Sequence, residues 1–581
     1  MTMTLNIAAV GSAAAASIVA YLIWAAYPKP IPGIPYNKDS AVSILGDLPR
    51  LLAQIKRDGD VKRFFIAEAY KFDGPIFQLF LFPFRRPVVV ISDFGEIRDI
   101  MMHRVKEFDR STRSRDIFQP IGPCSQVTLA TDDIWRFHRR LVQDTMSPVF
   151  LRNIAAPNLY SAFQNLIVLW NQRCDLADGR PFSVALDFSA ATFDGVLAFT
   201  FGHDFAHSAT KPHIEALAGL SSDDLTHSLG MDDAVEFPAG PLHSDLDCMQ
   251  RVATQTEKWS SFPMVKLAWL LFGNTAEFRR LFKMKDAVIQ EEIRKAVVSQ
   301  TQHEDDDTRL KHAIDLIVSR ETRLAEKDGR QPDYYSRTLV DELYGFLIAG
   351  HETTSSTMAW TIKILTEFPA VQTKLRSVLH QTHSTAASEK RNPTVDELMS
   401  HTPAYLEAFM AETLRWKTPS PINSRTATQD ARILGHHIPK HTTVNFVADG
   451  PSFLSRSRKV DDALRTDTYR KDQATYPMAA ETDDMDQFIP ERWLRENLET
   501  GDVVFDVNLW PNTSFGLGPR GCFGKKLAYI EYQFLIVLIV WNFELLGVPE
   551  TLSGWEGFVQ IAYRPRQCYI RARKLGMDGR V

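Results

Sequence analysis

The chain has 581 residues, of which 44% are hydrophobic and 24% charged, a composition that excludes a disordered or fibrous protein and allows an extensive buried core. Its 66 basic and 71 acidic side chains leave a formal charge of −5, without the basic excess that nucleic-acid binding requires. The five cysteines, Cys124, Cys174, Cys248, Cys522 and Cys568, are odd in number, scattered and free of any C-x-x-C pair, so neither a disulfide framework nor a zinc site is expected.

From Leu5 to Tyr27 there is no charge. As a helix this stretch is roughly 35 Å long, enough to cross a hydrocarbon layer of about 30 Å. No Lys or Arg precedes it and it exceeds the usual apolar length of a signal peptide, so residues 1–27 read as one N-terminal transmembrane anchor. Lys29, Lys38 and Arg50 follow directly, which places the bulk of the chain on the cytosolic side, with the endoplasmic reticulum as the expected membrane. Residues 28–36, with Pro28, Pro30, Pro32 and Pro35, form a stiff hinge. Beyond it, residues 37–581 show no repeat and no composition break, and are read as one catalytic domain.

Trp135 and Arg139 stand four apart on one predicted helix face, an indole N–H beside a guanidinium. The acidic run Glu304–Asp307 reads as a solvated connection. The longest predicted helix runs over Arg337–Phe368, with apolar residues at three- and four-residue spacing and Pro369 as its stop; at roughly 48 Å it must pass through the middle of the domain. At its centre lies Ala349-Gly350-His351-Glu352-Thr353-Thr354. Small residues there imply room for something bulky, or else close packing, and the Thr pair is equally able to back-bond within the helix. Ser355 occupies the place of the second histidine of an H-E-x-x-H zinc helix, which excludes that chemistry. Thr382–Thr394 is polar and reads as a loop. Glu412 and Arg415 share a helix face at an ordinary ion-pair spacing, and Arg425 alone reads equally as a surface charge.

The most informative segment is Phe515-Gly516-Leu517-Gly518-Pro519-Arg520-Gly521-Cys522-Phe523-Gly524. Three glycines and a proline make a tight loop before one cysteine, and an apolar helix, Leu527–Val540, follows. A lone cysteine is ordinarily a small buried hydrophobe, but at a helix N-terminus it is favoured as thiolate. Gly516, Gly518 and Gly521 also fit G-x-G-x-x-G, yet Pro511-Asn512-Thr513-Ser514 offers a turn where a dinucleotide fingerprint needs a strand. Phe558–Arg573 resembles a strand hairpin, so the expected architecture is mainly α with small β-sheets.

The cysteine loop matches F-x-x-G-x-R-x-C-x-G at every fixed position, and the chain thereby resembles the cytochrome P-450 superfamily, in its membrane-bound fungal form. The resemblance extends to W-x-x-x-R at Trp135 and Arg139, A-G-x-E-T-T at the centre of the long helix, Glu412-x-x-Arg415, and Phe488-Ile489-Pro490-Glu491-Arg492-Trp493, all in the family's order. It implies the cytochrome P-450 fold and haem b (iron protoporphyrin IX) with Cys522 as axial iron ligand. Trp135, Arg139, Arg520 and Arg425 would hold the cofactor's propionates, Glu352 and Thr353 would serve catalysis, and Glu412, Arg415 and Arg492 would form a structural ion network. It also implies a monooxygenase that inserts one atom of O2 into an apolar substrate, a secondary metabolite, with electrons from an NADPH-dependent flavoprotein reductase. Arg136, Arg140, Lys525 and Lys526 are the cations expected to face that reductase. Rival readings are a haem-thiolate isomerase, dehydratase or coupling enzyme, and a non-catalytic haem sensor. Phe118–Val127, residues 220–250 and Pro419–Asn423 are the expected substrate walls. Two features depart from the family pattern: His441 stands where a glycine is usual, and Val447–Phe488 is long and polar.

Overall fold

The computed structural model describes residues 2–260, 262, 264–302 and 311–576; the acidic run Glu304–Asp307 lies outside them. The described residues group into two compact units, one drawn from 1–112, 421–486 and 517–520, the other from 113–420, 487–516 and 521–581. Both are built as expected, from helices with small sheets.

The first unit begins with helix α1, Thr2–Ala26. Side chains in it are described from residue 13 onward, and Ile18, Val19, Leu22, Ile23 and Trp24 are exposed. Among the described residues no helix is long and apolar enough to cross a membrane. The unit's sheet contains β1 (Ile76–Leu79), β2 (Val88–Ile91), β3 (Phe108–Arg110), β4 (Ile422–Ala427) and β5 (Thr443–Val447), in the order β1-β2-β5-β4-β3. The β-branched run Val88–Ile91 is buried throughout and pairs parallel to β5, whereas the other pairings are antiparallel.

His441 takes φ +68°, the left-handed conformation that explains why glycine suits the position. The polar stretch 447–488 is not loose: Arg465 pairs with Asp93 at 2.6 Å, and Asp472, on the short helix Asp467–Thr475, pairs with Arg98 at 2.7 Å on the helix Phe94–His103. Gly518, at φ +67°, lies so close to Met101 that a Cβ would come within 2.3 Å of its carbonyl oxygen, so glycine alone fits.

The second unit holds α2 (Asp133–Val142), α3 (Ala185–Phe201), α4 (Arg337–Glu367), α5 (Ala404–Trp416) and α6 (Lys525–Asn542). Helix α4 begins where Ser336 caps the N–H of Leu339, and ends before Pro369, which opens the next helix, Pro369–Thr382. It packs along α3, and Gly350 is the reason they meet closely: a Cβ there would stand 2.8 Å from Val196 Cγ2. Gly350 is therefore a packing glycine, and the room expected beside it is taken by α3.

Two local expectations are corrected. Thr382–Thr394 is not all loop, because Ser384–Ser388 forms a short helix and Thr394 caps the next one through a capping box with Glu397. The terminal hairpin is only Gly557–Val559 against Tyr563–Pro565. Pro565 has no N–H to continue the ladder, and Tyr569–Lys574 pairs instead with Phe543–Leu546 and Phe182–Ser183.

Candidate active site

The cysteine loop closes on itself through one backbone bond, Cys522 N–H to Phe515 C=O at 2.6 Å. It is pinned to α5 by Ser514, whose hydroxyl donates to Leu414 C=O at 2.8 Å, and the ring of Phe515 packs 5.1 Å from Tyr529 on α6. Cys522 lies three residues before α6 starts at Lys525. Burial pushes its thiol above the ordinary range, while the Gly524 N–H, Arg139 and Lys525 pull the other way. A metal ion bound at the sulfur would favour the thiolate over the thiol.

Cys522 is nevertheless accessible to water-sized molecules. Access together with dense surroundings marks the wall of a hollow rather than the outer surface. Ala349 gives the same sign, exposed at the centre of α4 between buried Ile348 and half-buried Gly350. Phe346, Ala349 and Thr353 share one face of α4. The ring of Phe346 stacks on Phe523, beside Cys522, with centroids 6.0 Å apart and planes at 3°. That face of α4 is therefore turned towards the cysteine.

Arg139 completes the constellation from α2. Its guanidinium lies 4.6 Å from the Phe523 ring and 5.5 Å from the ring of Trp135, which is buried. Burial lowers its pKa, partly offset by Cys522 and Glu342. Among the described residues it makes no salt bridge. An accessible sulfur, a cation without a carboxylate partner and a gap at Ala349 fit a large flat anionic group with a metal at its centre.

On α4 the Thr353 hydroxyl donates to Ala349 C=O at 2.8 Å, the back-bond that its residue type allows. Glu352 is partly buried and its Oε1 is 3.2 Å from His351 Nε2. Burial alone would raise the Glu352 carboxyl, but the His351 hydrogen bond and charge, with Arg564, hold it below the ordinary range. It is a carboxylate at neutral pH, suited to relaying protons rather than storing them.

The ion network assembles around Glu412. Its two oxygens accept from Arg415 Nε and Nη2 at 2.8 and 2.7 Å, Arg492 Nε at 3.0 Å, Ile489 N–H at 3.0 Å and Trp493 Nε1 at 2.9 Å. Arg425 and Arg520 belong to the first unit and are both buried, so the surface reading of Arg425 is replaced. Arg425 sits on β4 opposite Arg110 of β3, and burial, reinforced by Arg110, lowers its pKa to about 10. Arg136, Arg140, Lys525 and Lys526 are all exposed.

One acid escaped the sequence reading. Glu531 on α6 is buried, and Thr354 Oγ1 on α4 donates to its Oε2 at 3.0 Å. Burial pushes its carboxyl up to about 8, which the Thr354 bond offsets only in part. Its Oε1 has no hydrogen-bond partner among the described residues. The available signal was an acid amid the apolar run Leu527–Val540.

Comparison with known proteins bears on the whole chain. A family model described as Cytochrome P450 matches residues 48–450 and 482–564. The chain is 34% identical over 575 residues to cytochrome P450 monooxygenase TRI13 of Fusarium sporotrichioides, covering 96% of this chain and 98% of the relative. It is 35% identical over 556 residues to cytochrome P450 monooxygenase xilC of Penicillium crustosum, covering 94% and 93%. The crystal structure of the cytochrome P450DA heme domain superposes with a TM-score of 0.65 at 19% identity, over 96% of this chain and all of that one, which shows the shared fold.

Proposed function

Since this chain belongs to the cytochrome P450 family, an oxygen-incorporating family whose matching fungal members are monooxygenases, we propose that it inserts one oxygen atom from O2 into an apolar small molecule of secondary metabolism. Electrons from NADPH would arrive through a flavoprotein reductase. The observation that carries the reading is the accessible Cys522 facing the Phe346–Ala349–Thr353 side of α4, with Arg139 beside it. Haem b bound there supplies electron transfer and oxygen activation.

The protein's share is positioning and proton handling. Cys522 would ligate the haem iron, and Arg139, Trp135, Arg425 and Arg520 would hold the propionates. Glu352, ionised and in contact with His351, passes protons towards the gap at Ala349, and the Thr353 hydroxyl receives them there. The exposed cations Arg136, Arg140, Lys525 and Lys526 attract an acidic reductase, and this attraction weakens as salt rises. With reductase, NADPH and a panel of terpenoid and polyketide substrates, 18O2 is expected to leave one labelled atom in the product. Product formed without label would instead favour an isomerase, dehydratase or coupling enzyme.

We further propose that α1 anchors the enzyme in the endoplasmic reticulum membrane. Its support is the uncharged run Leu5–Tyr27 and the end of the helix, where Lys29 Nζ donates to Trp24 C=O at 2.7 Å and lies 3.9 Å from the Trp24 ring, an arrangement suited to a lipid–water boundary. Deleting residues 1–27 is expected to move most of the protein from the carbonate-resistant membrane fraction to the supernatant. An unchanged distribution would remove the anchor from this proposal.

A further inference from the structure

We propose that Gln126 is a positioning residue for Arg139, the last link of a relay that starts on α4 at Glu342. The inference rests on the reading of Arg139 as a holder of the cofactor's carboxylates.

Glu342 is buried at the start of α4, and its carboxylate grips Gln126 at two points: the backbone N–H donates to Oε1 at 2.5 Å and the side-chain Nε2 to Oε2 at 2.8 Å. His138 Nδ1 on α2 lies 2.8 Å from the same Oε1. The neighbouring acid, Asp341, holds the same loop two residues earlier, accepting from Cys124 N–H at 2.7 Å, and is itself bound by Arg337 Nε at 2.8 Å. The loop before α2 is therefore tied to α4 by two buried carboxylates.

That grip decides which way the Gln126 amide points. Reversing it would press the amide oxygen against the Glu342 carboxylate, so Nε2 must face Glu342 and Oε1 must face away. Oε1 meets Arg139 Nη1 at 3.3 Å. Among the described residues this is the only hydrogen bond of the Arg139 side chain, which otherwise rests on the rings of Phe523 and Trp135. One N–H of the guanidinium is thus fixed by a neutral acceptor, which orients the fork without neutralising it and leaves its other donors for an anion. A carboxylate at position 126 would repel Glu342 and quench Arg139; an aliphatic side chain would leave a long flexible cation to be ordered by its ligand.

The test is a double-substitution cycle read as haem loss. Holoenzyme is mixed with excess apomyoglobin, and the transfer rate is followed in the Soret region for wild type, Gln126→Met, Arg139→Ala and the double variant. Gln126→Met keeps volume and removes both amide ends. It is expected to speed haem loss about tenfold, the scale of one hydrogen bond to a charged group. In the Arg139→Ala background it should change the rate less than twofold, because nothing remains to be positioned. Independent, multiplying effects of the two substitutions would overturn the inference. So would an unchanged rate in Gln126→Met beside faster loss in Arg139→Ala, and this outcome leaves the reading of Arg139 intact. An unchanged rate in Arg139→Ala overturns that reading and the inference with it. If Gln126→Met does not accumulate as folded protein, Gln126→Leu, which also removes both amide ends, is carried through the same cycle.

Discussion

Cys522→Ala protein, reduced and treated with carbon monoxide, is expected to lack the red-shifted Soret band expected of the wild type. Thiolate ligation of the haem iron would produce that band, and no other cysteine is placed to take over. Cys248 and Cys568 are buried, with thiols pushed to about 11 and 12 by burial. Cys174 is pushed to about 12 for the same reason, and Cys124 also lies above the ordinary thiol range. Of the five cysteines Cys522 alone is exposed, and two cations, Arg139 and Lys525, act to lower its thiol. Cys248→Ser and Cys568→Ser should keep the band. Its survival in Cys522→Ala would end the assignment of the axial ligand.

Glu412→Ala is expected to prevent accumulation of soluble, folded protein. The Glu412 carboxylate is fully buried and accepts from two guanidinium groups, one backbone N–H and one indole. Removing it leaves Arg415 and Arg492 buried with their shared counter-charge gone, and breaking such a pair costs about 3–5 kcal/mol. Total stability is typically about 5–15 kcal/mol, so the loss takes much of the margin. Arg415→Lys should also destabilise markedly, because one ammonium cannot reproduce contacts from both Nε and Nη2. Soluble yield and thermal unfolding measure both effects. A Glu412→Ala protein that unfolds within a few degrees of wild type would show that the network is not a scaffold.

What was legible in the chain followed from locality. The cysteine loop was readable because its determinants fall within ten consecutive residues, and α4 because Pro369 marks its end beside a long apolar pattern. Pairings between distant residues were not. Which of the two readings of Gly350 holds was not legible, because Val196, which fills its space, stands on another helix. Glu531 passed unnoticed because its meaning depends on Thr354, 177 residues away. Arg425 by itself could be read equally as a surface charge because nothing near it in the chain reports that β4 is an interior strand of its sheet. The upward push of burial on the Cys522 thiol was not legible, because the helix dipole can be counted from sequence but desolvation cannot.

Glu531 gives the protein an internal vibrational reporter. With its carboxyl raised to about 8, it is mostly un-ionised at neutral pH, and no neighbouring charge contributes to that shift. An un-ionised carboxyl has a carbonyl stretch well separated in the infrared from ionised carboxylates and from the amide backbone. Because its Oε2 is bonded to Thr354, next to Thr353 in chain, a strain or rotation of that turn changes the frequency of this one band. Glu531→Gln removes the band and so identifies it. The state of the α4 turn can then be followed by light absorbed far from any porphyrin transition, in protein with or without its cofactor.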